Sequence, residues 1–118
     1  MNEILIGQKI AWRRETAKSH YIGELWGCVT GIRLAGRDPQ TGIEVTLSIP
    51  YAEIGRIRVS NDWTERVVGE RCVVLELAGS TPILVREVGL GPIDARALAE
   101  RIAMLAAVDS RTTVAAAS

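Results

Sequence analysis

There is no phenylalanine in this chain of 118 residues, only one histidine, two cysteines and two methionines. Net charge is missing too, because 14 basic residues balance 14 acidic ones. Each shortage excludes something. A dedicated nucleic-acid binder normally carries a strong basic excess, so a zero balance argues against that class. Zero charge also leaves little electrostatic protection against self-association. The lone histidine, His20, has no second imidazole to share a metal, and Cys28 and Cys72 do not form a zinc motif, so no metal or cofactor is expected. No apolar run approaches the roughly 20 residues that span a bilayer. The first ten residues lack the basic segment and long apolar core of a secretory signal. The expected compartment is the cytoplasm, with both cysteines as buried free thiols; a disulfide between neighbouring strands remains an open alternative.

Catalytic motifs are absent as well. No G-x-G-x-x-G, P-loop or G-x-S-x-G occurs, and Gly89-Leu90-Gly91 is too slight to cradle a phosphate. Asp38, Asp62 and Asp94 each stand in a turn or cap context, where the carboxylate serves local backbone bonding. No nucleophile is paired with a base, and the chain is expected to be non-enzymatic.

What is present is β patterning. Hydrophobic residues make up 47% and charged residues 24%, a globular balance that predicts a single domain over residues 1–108 and a flexible tail over 109–118. Between Ile43 and Tyr51, Ile43, Val45, Leu47, Ile49 and Tyr51 alternate with Glu44, Thr46, Ser48 and Pro50, which places one side of a strand in a core. Gln8–Glu15 reads as a first strand, preceded by a short strand or arm. The stretch from about His20 to Leu34 reads as one long strand. Trp26, Cys28, Thr30, Ile32 and Leu34 would then share a face, with Trp26 in the core. Gly23, Gly27 and Gly31 along it suggest a bend or the close approach of another backbone. Ala35–Gly42 has the chemistry of a reversing loop. Pro50 ends its strand, Tyr51–Ile54 forms a single turn, and Gly55–Val59 resumes as a strand. Arg71–Ala78 and Pro82–Val88 flank Gly79-Ser80-Thr81 as a hairpin. From Pro92 the period changes: Ala95, Leu98, Ala99, Ile102, Leu105 and Ala106 fall in an arc of roughly 120°, predicting an amphipathic helix of about four turns. Asp94 would sit at its positive end. Six or seven strands followed by one helix predict an α+β, mainly β fold, in which the helix closes the open end of a bent antiparallel sheet.

At this point the residues resemble a family. Gly23-Glu24-Leu25 followed by Val29-Thr30-Gly31-Ile32-Arg33-Leu34 resembles the G-x-L…T-x-x-R-L signature of bacterial pleckstrin-homology-like and GRAM-type domains. Ser48-Ile49-Pro50-Tyr51-Ala52-Glu53-Ile54 is similar to the I-P-(Y/L)-x-(D/E)-I segment that follows it there. The resemblance covers about Lys9 to Ala107. It implies a seven-stranded bent barrel capped by the C-terminal helix, acting as a non-enzymatic module that binds lipid head groups, peptides or other subunits.

Three sets of residues are candidates for contact. Lys9, Arg13, Arg14, Lys18 and His20, with Glu15 the only acid among them, form the densest basic patch. Such a patch can meet an anionic membrane or a phosphorylated ligand, or it can be a solvated strand edge guarded by charge. Arg56 and Arg58 share one strand face and can clamp an anion or pair with Glu44 or Glu76. Trp63, in a polar loop beside Asn61 and Asp62, is either an interface anchor or a lid on its own barrel end. The sequence favours a module for protein–protein interaction or self-association, with a homo-oligomer as one outcome. Peripheral binding of an anionic surface is the alternative.

Overall fold

A computed structural model of the chain describes residues 3–60, 64–67, 70–88 and 94–117. Four strands come first: β1 (Glu3–Arg14), β2 (Tyr21–Cys28), β3 (Gly31–Arg37) and β4 (Glu44–Pro50). A single 3-10 turn, Tyr51–Glu53, leads into β5 (Ile54–Val59). A two-stranded ribbon of β6 (Arg66–Val67) and β7 (Glu70–Arg71) follows, then β8 (Val73–Leu77), β9 (Ile83–Glu87) and helix α1 (Ala95–Ala117). Seven strands make one sheet in the order β4-β3-β2-β1-β9-β8-β5, and every neighbouring pair is antiparallel.

That order requires a strong curl. β4 and β5 stand at opposite edges of the sheet, yet only the turn Tyr51–Glu53 separates them in sequence. Laid flat, six inter-strand gaps would hold the edges roughly 29 Å apart. Four peptide steps reach at most about 15 Å. The sheet therefore rolls into a half-barrel. The turn is fixed at both ends: Tyr51 N donates to Thr30 O at 3.1 Å, and Ala78 N donates to Glu53 O at 2.8 Å. The Tyr51 hydroxyl adds a bond to Cys28 O at 2.7 Å.

Inside the curl lies the main core: Ile10, Trp12, Leu25, Ile32, Leu34, Ile49, Val73, Leu75, Ile83 and Val85. Helix α1 closes it, packing against β5, β8 and β9. Leu98, Ile102 and Leu105 are buried at 0%, 0% and 5% exposure. Each contributes about 1.5–3 kcal/mol by leaving water. Asp94 caps the helix, its Oδ1 accepting from Ala97 N at 2.8 Å. Pro92, expected in the first helical turn, lies outside the described residues. The helix continues past Ala107 to Ala117, so the segment read as a tail is helical over 109–117; an alanine-rich end carries the propensity to extend it. β8 and β9 are covered on both sides. Their outer face, Val74 and Leu84, joins Ala11, Val67 and Cys72 in a second small core under the β6–β7 ribbon.

One stretch differs from the sequence reading. His20–Leu34 is two strands, because the chain reverses at Val29 and Thr30. The register pairs Leu25 with Leu34 and Trp26 with Arg33. A two-residue turn flips the parity of the second strand, so Leu25 faces the core beside Ile32 and Leu34. Trp26 is turned outward, half-buried, with the Arg33 guanidinium 5.8 Å from its ring centroid. Gly23 and Gly31 mark close approaches. A Cβ at Gly23 would lie 2.1 Å from Ala35 O, and one at Gly31 would lie 2.3 Å from Ile49 O. Ala35–Arg37, expected in the reversing loop, still belongs to β3. The loop itself is held by Asp38, whose Oδ1 accepts from Gln40 N at 2.8 Å. Gly42 takes φ +77° there.

Candidate functional site

A curled sheet that does not close leaves two edges, and their treatment differs. At the β5 edge the ladder is bulged between Ile54 and Arg56, two arginines stand on the strand, and α1 packs against the strand. These are the devices by which proteins guard an edge. At the β4 edge the ladder to β3 runs without a register shift from Gly31↔Pro50 to Arg37↔Glu44. Among the described residues β3 is the only element with extensive contact to β4.

The phase of that ladder decides which backbone groups are free. Asp38 N donates to Ile43 O at one end, and Tyr51 N donates to Thr30 O at the other. In an antiparallel pair, hydrogen-bonded positions recur every second residue. Val45, Leu47 and Ile49 therefore bond inward to β3. The N–H and C=O groups of Glu44, Thr46 and Ser48 point out of the sheet in its plane. The side chains of these three are exposed. The edge carries one acid, Glu44, whose nearest basic group is Arg37 at 3.6 Å with both side chains largely in water. Such a pair adds little to stability. Pro50, which has no N–H to offer, marks the end of the free edge. Ile43, next to this strand, is 61% exposed, and Ile22 is 48% exposed.

Beside the edge, the outer face of β2, β3 and β4 has a shallow open depression of about 350 Å³, bounded by Ile22, Glu24, Ala35, Arg37 and Thr46. It is open rather than enclosing, and its lining pairs no nucleophile with a base.

The basic residues do not form one surface. Arg13 is consumed internally: Nε donates to Arg66 O at 2.9 Å and Nη2 to Thr64 O at 2.8 Å. Nη1 reaches the carbonyls of Arg14, Glu15 and Ala17. This guanidinium ties the β1–β2 turn to the segment that enters β6. Arg14 and Lys18 are exposed at that same end of the sheet, with His20 half-buried after them. Lys9 lies on β1 roughly 13 Å from Arg13 along the strand. Its cross-strand partner is Glu24.

Arg58 is a structural anchor and Arg56 is not. Arg58 Nε donates to Glu76 Oε2 at 2.6 Å, and its two terminal nitrogens grip Glu65, Nη1 to Oε1 at 2.9 Å and Nη2 to Oε2. Hydrogen bonds donated to Glu65 and then to Glu76 raise the guanidinium pKa further, so the charge is fixed. The expected partner Glu76 is thus present, while Glu44 belongs to Arg37. Glu65 is buried, 6% exposed, and no sequence pattern announced it. Arg56 is exposed beside this triad. Trp63 lies outside the described residues.

Cys72 is buried and Cys28 half-buried, and both are free thiols. Burial pushes the Cys72 thiol up in pKa, against a smaller opposing pull from Ser60. Its N–H donates to Ser60 Oγ at 2.9 Å and its Sγ to Glu65 O at 3.5 Å. Among the described residues no helix is long and apolar enough to cross a membrane. No family model, no curated protein and no solved structure matches the chain.

Proposed function

We propose that the chain is a non-catalytic binding and assembly module, of pleckstrin-homology-like or GRAM-like type, that recognises polypeptide through the free edge of β4. The observation that carries this reading is the contrast between the two sheet edges. β5 is bulged, carries two arginines and is braced by α1. β4 has a regular ladder and offers three residues of unpaired backbone beside the exposed Ile43. An extended segment that adds to such an edge gains main-chain hydrogen bonds from the N–H and C=O groups, and selectivity from alternate side chains. The zero net charge supports a protein partner over a polyanion. Two free thiols fit a reducing compartment, the cytoplasm.

Anionic-surface binding rests on less. Arg13, at the centre of the basic stretch, has its donors turned to carbonyls, which leaves Lys9, Arg14, Lys18 and His20 spread over two regions. The experiment is site-specific photo-crosslinking in cells with a benzophenone side chain at Ser48 on the free edge and at Arg56 on the guarded one. Crosslinks to polypeptide at Ser48 in excess of Arg56 are expected. Equal background at both positions overturns the reading. Salt-sensitive sedimentation with phosphatidylserine vesicles, in the absence of edge crosslinks, establishes the anionic alternative instead.

A further inference from the structure

The free edge of β4 is complementary to itself, and we infer that its occupant is a second copy of this chain, paired antiparallel about a two-fold axis at Thr46. This rests on the edge-binding reading above and adds partner and register. Along β4 only Glu44, Thr46 and Ser48 present both an outward N–H and an outward carbonyl, so a fully bonded new ladder joins residues of this set. Centred on Thr46, the pairing sets Thr46 against Thr46 of the second copy and Glu44 against Ser48, twice. The outward N–H and carbonyl of each of these three residues are then used in both chains. A shift by one pair sets Glu44 against Pro50, which has no N–H, and wastes part of the edge.

The side chains agree with that register. Glu44 meets a serine, not its own copy, so no like charges oppose each other across the axis. On the inner side, half-buried Val45 and Leu47 of one chain fall opposite Leu47 and Val45 of the other. Ile43, the most exposed aliphatic residue next to the strand at 61%, falls opposite Ile49. The two half-barrels thereby form one continuous sheet of fourteen strands, with each copy's seven contributing equally. Isologous contacts of this kind close at two subunits, which keeps an unguarded edge from propagating aggregation.

The register is tested by three substitutions whose effects differ in sign. Light scattering over a dilution series is expected to give twice the chain mass for the unsubstituted protein at high concentration. Thr46→Lys places two ammonium groups on backbones about 5.5 Å apart at the axis and is expected to weaken the dimer severalfold. Its side chain lies in solvent in the single chain, so an unchanged unfolding midpoint shows that the fold persists. Ser48→Lys faces Glu44 of the second copy and is expected to preserve or tighten the dimer. Under mild oxidation Thr46→Cys forms an intermolecular disulfide. Ser48→Cys does not, because its twin lies roughly 14 Å away along the strands. The unsubstituted chain controls for Cys28. A monomer at every concentration, or equal weakening by both lysines, overturns self-pairing. Monomers that still show edge crosslinks to another polypeptide leave the binding reading intact. Monomers without any such crosslinks remove both.

Discussion

Trp12 and Ala35 are bonded across an intervening strand: the indole Nε1 on β1 donates to the Ala35 carbonyl on β3 at 3.2 Å, passing over β2. The passage exists because Gly23 and Gly36 face each other in the β2–β3 ladder and neither carries a Cβ. The ring fills that space and packs on Tyr21, centroids 4.8 Å apart. With no phenylalanine available, one large indole completes the wall of the core. Trp12→Phe removes the donor and part of the volume and is expected to cost about 1–3 kcal/mol. Urea unfolding reads this directly; a change below about 0.5 kcal/mol would contradict the role given to the indole.

Gly23 and Gly42 should respond differently to alanine. At Gly23 a Cβ would lie 2.1 Å from a backbone oxygen, which cannot yield without opening the β2–β3 ladder. At Gly42 the space is open and only the positive φ opposes substitution. Gly42→Ala is therefore expected to cost about 1 kcal/mol. Gly23→Ala should cost about 3 kcal/mol or more, or abolish folding. Thermal melts of the two variants measure the difference, and equal effects would exclude the close approach as the cause.

Arg58 holds a buried carboxylate and Arg56 does not. Arg58→Met leaves Glu65 without its bidentate partner in a buried position, for an expected loss of about 3–5 kcal/mol. Arg56→Met should stay within about 0.5 kcal/mol. Chemical denaturation compares the pair. A small loss at Arg58 would mean that Glu65 reaches solvent when released.

Strand β4, the Gly79 hairpin and the apolar stripe of Leu98, Ile102 and Leu105 were legible in the sequence because each is a local periodicity bounded by local signals. The break at Val29-Thr30 was not, since neither residue is among the turn formers and apolar residues stand on both sides of it. One hidden reversal was enough to send Trp26 to the wrong face. The internal role of Arg13 is hidden in the sequence, because its acceptors are backbone carbonyls, which leave no trace in side-chain pattern. Arg58 and Glu76 were legible as possible partners on neighbouring strands. Glu65 was hidden in a loop. The free edge was invisible for another reason. It follows from strand order, and order depends on the pairing of β1 with β9, whose partners lie 69 to 77 residues apart.

Cys72 gives a pH signature. Its raised pKa means that the folded chain retains the thiol proton where the unfolded chain releases it. Unfolding then sheds a proton, and stability falls as pH rises above the ordinary thiol value of about 8.5. The loss of stability between pH 8 and pH 10 should be smaller in Cys72→Ala than in the parent. Identical pH dependence would show that the thiol ionises as readily in the folded chain as in the unfolded one.

The most direct test of the edge account is amide hydrogen exchange of β4 at low and high protein concentration. Val45, Leu47 and Ile49 should be protected at both, because they bond to β3. Glu44, Thr46 and Ser48 should exchange freely when dilute and become protected when concentrated. Protection of those three that does not change with concentration would contradict the claim that this edge is where the molecule binds its own kind.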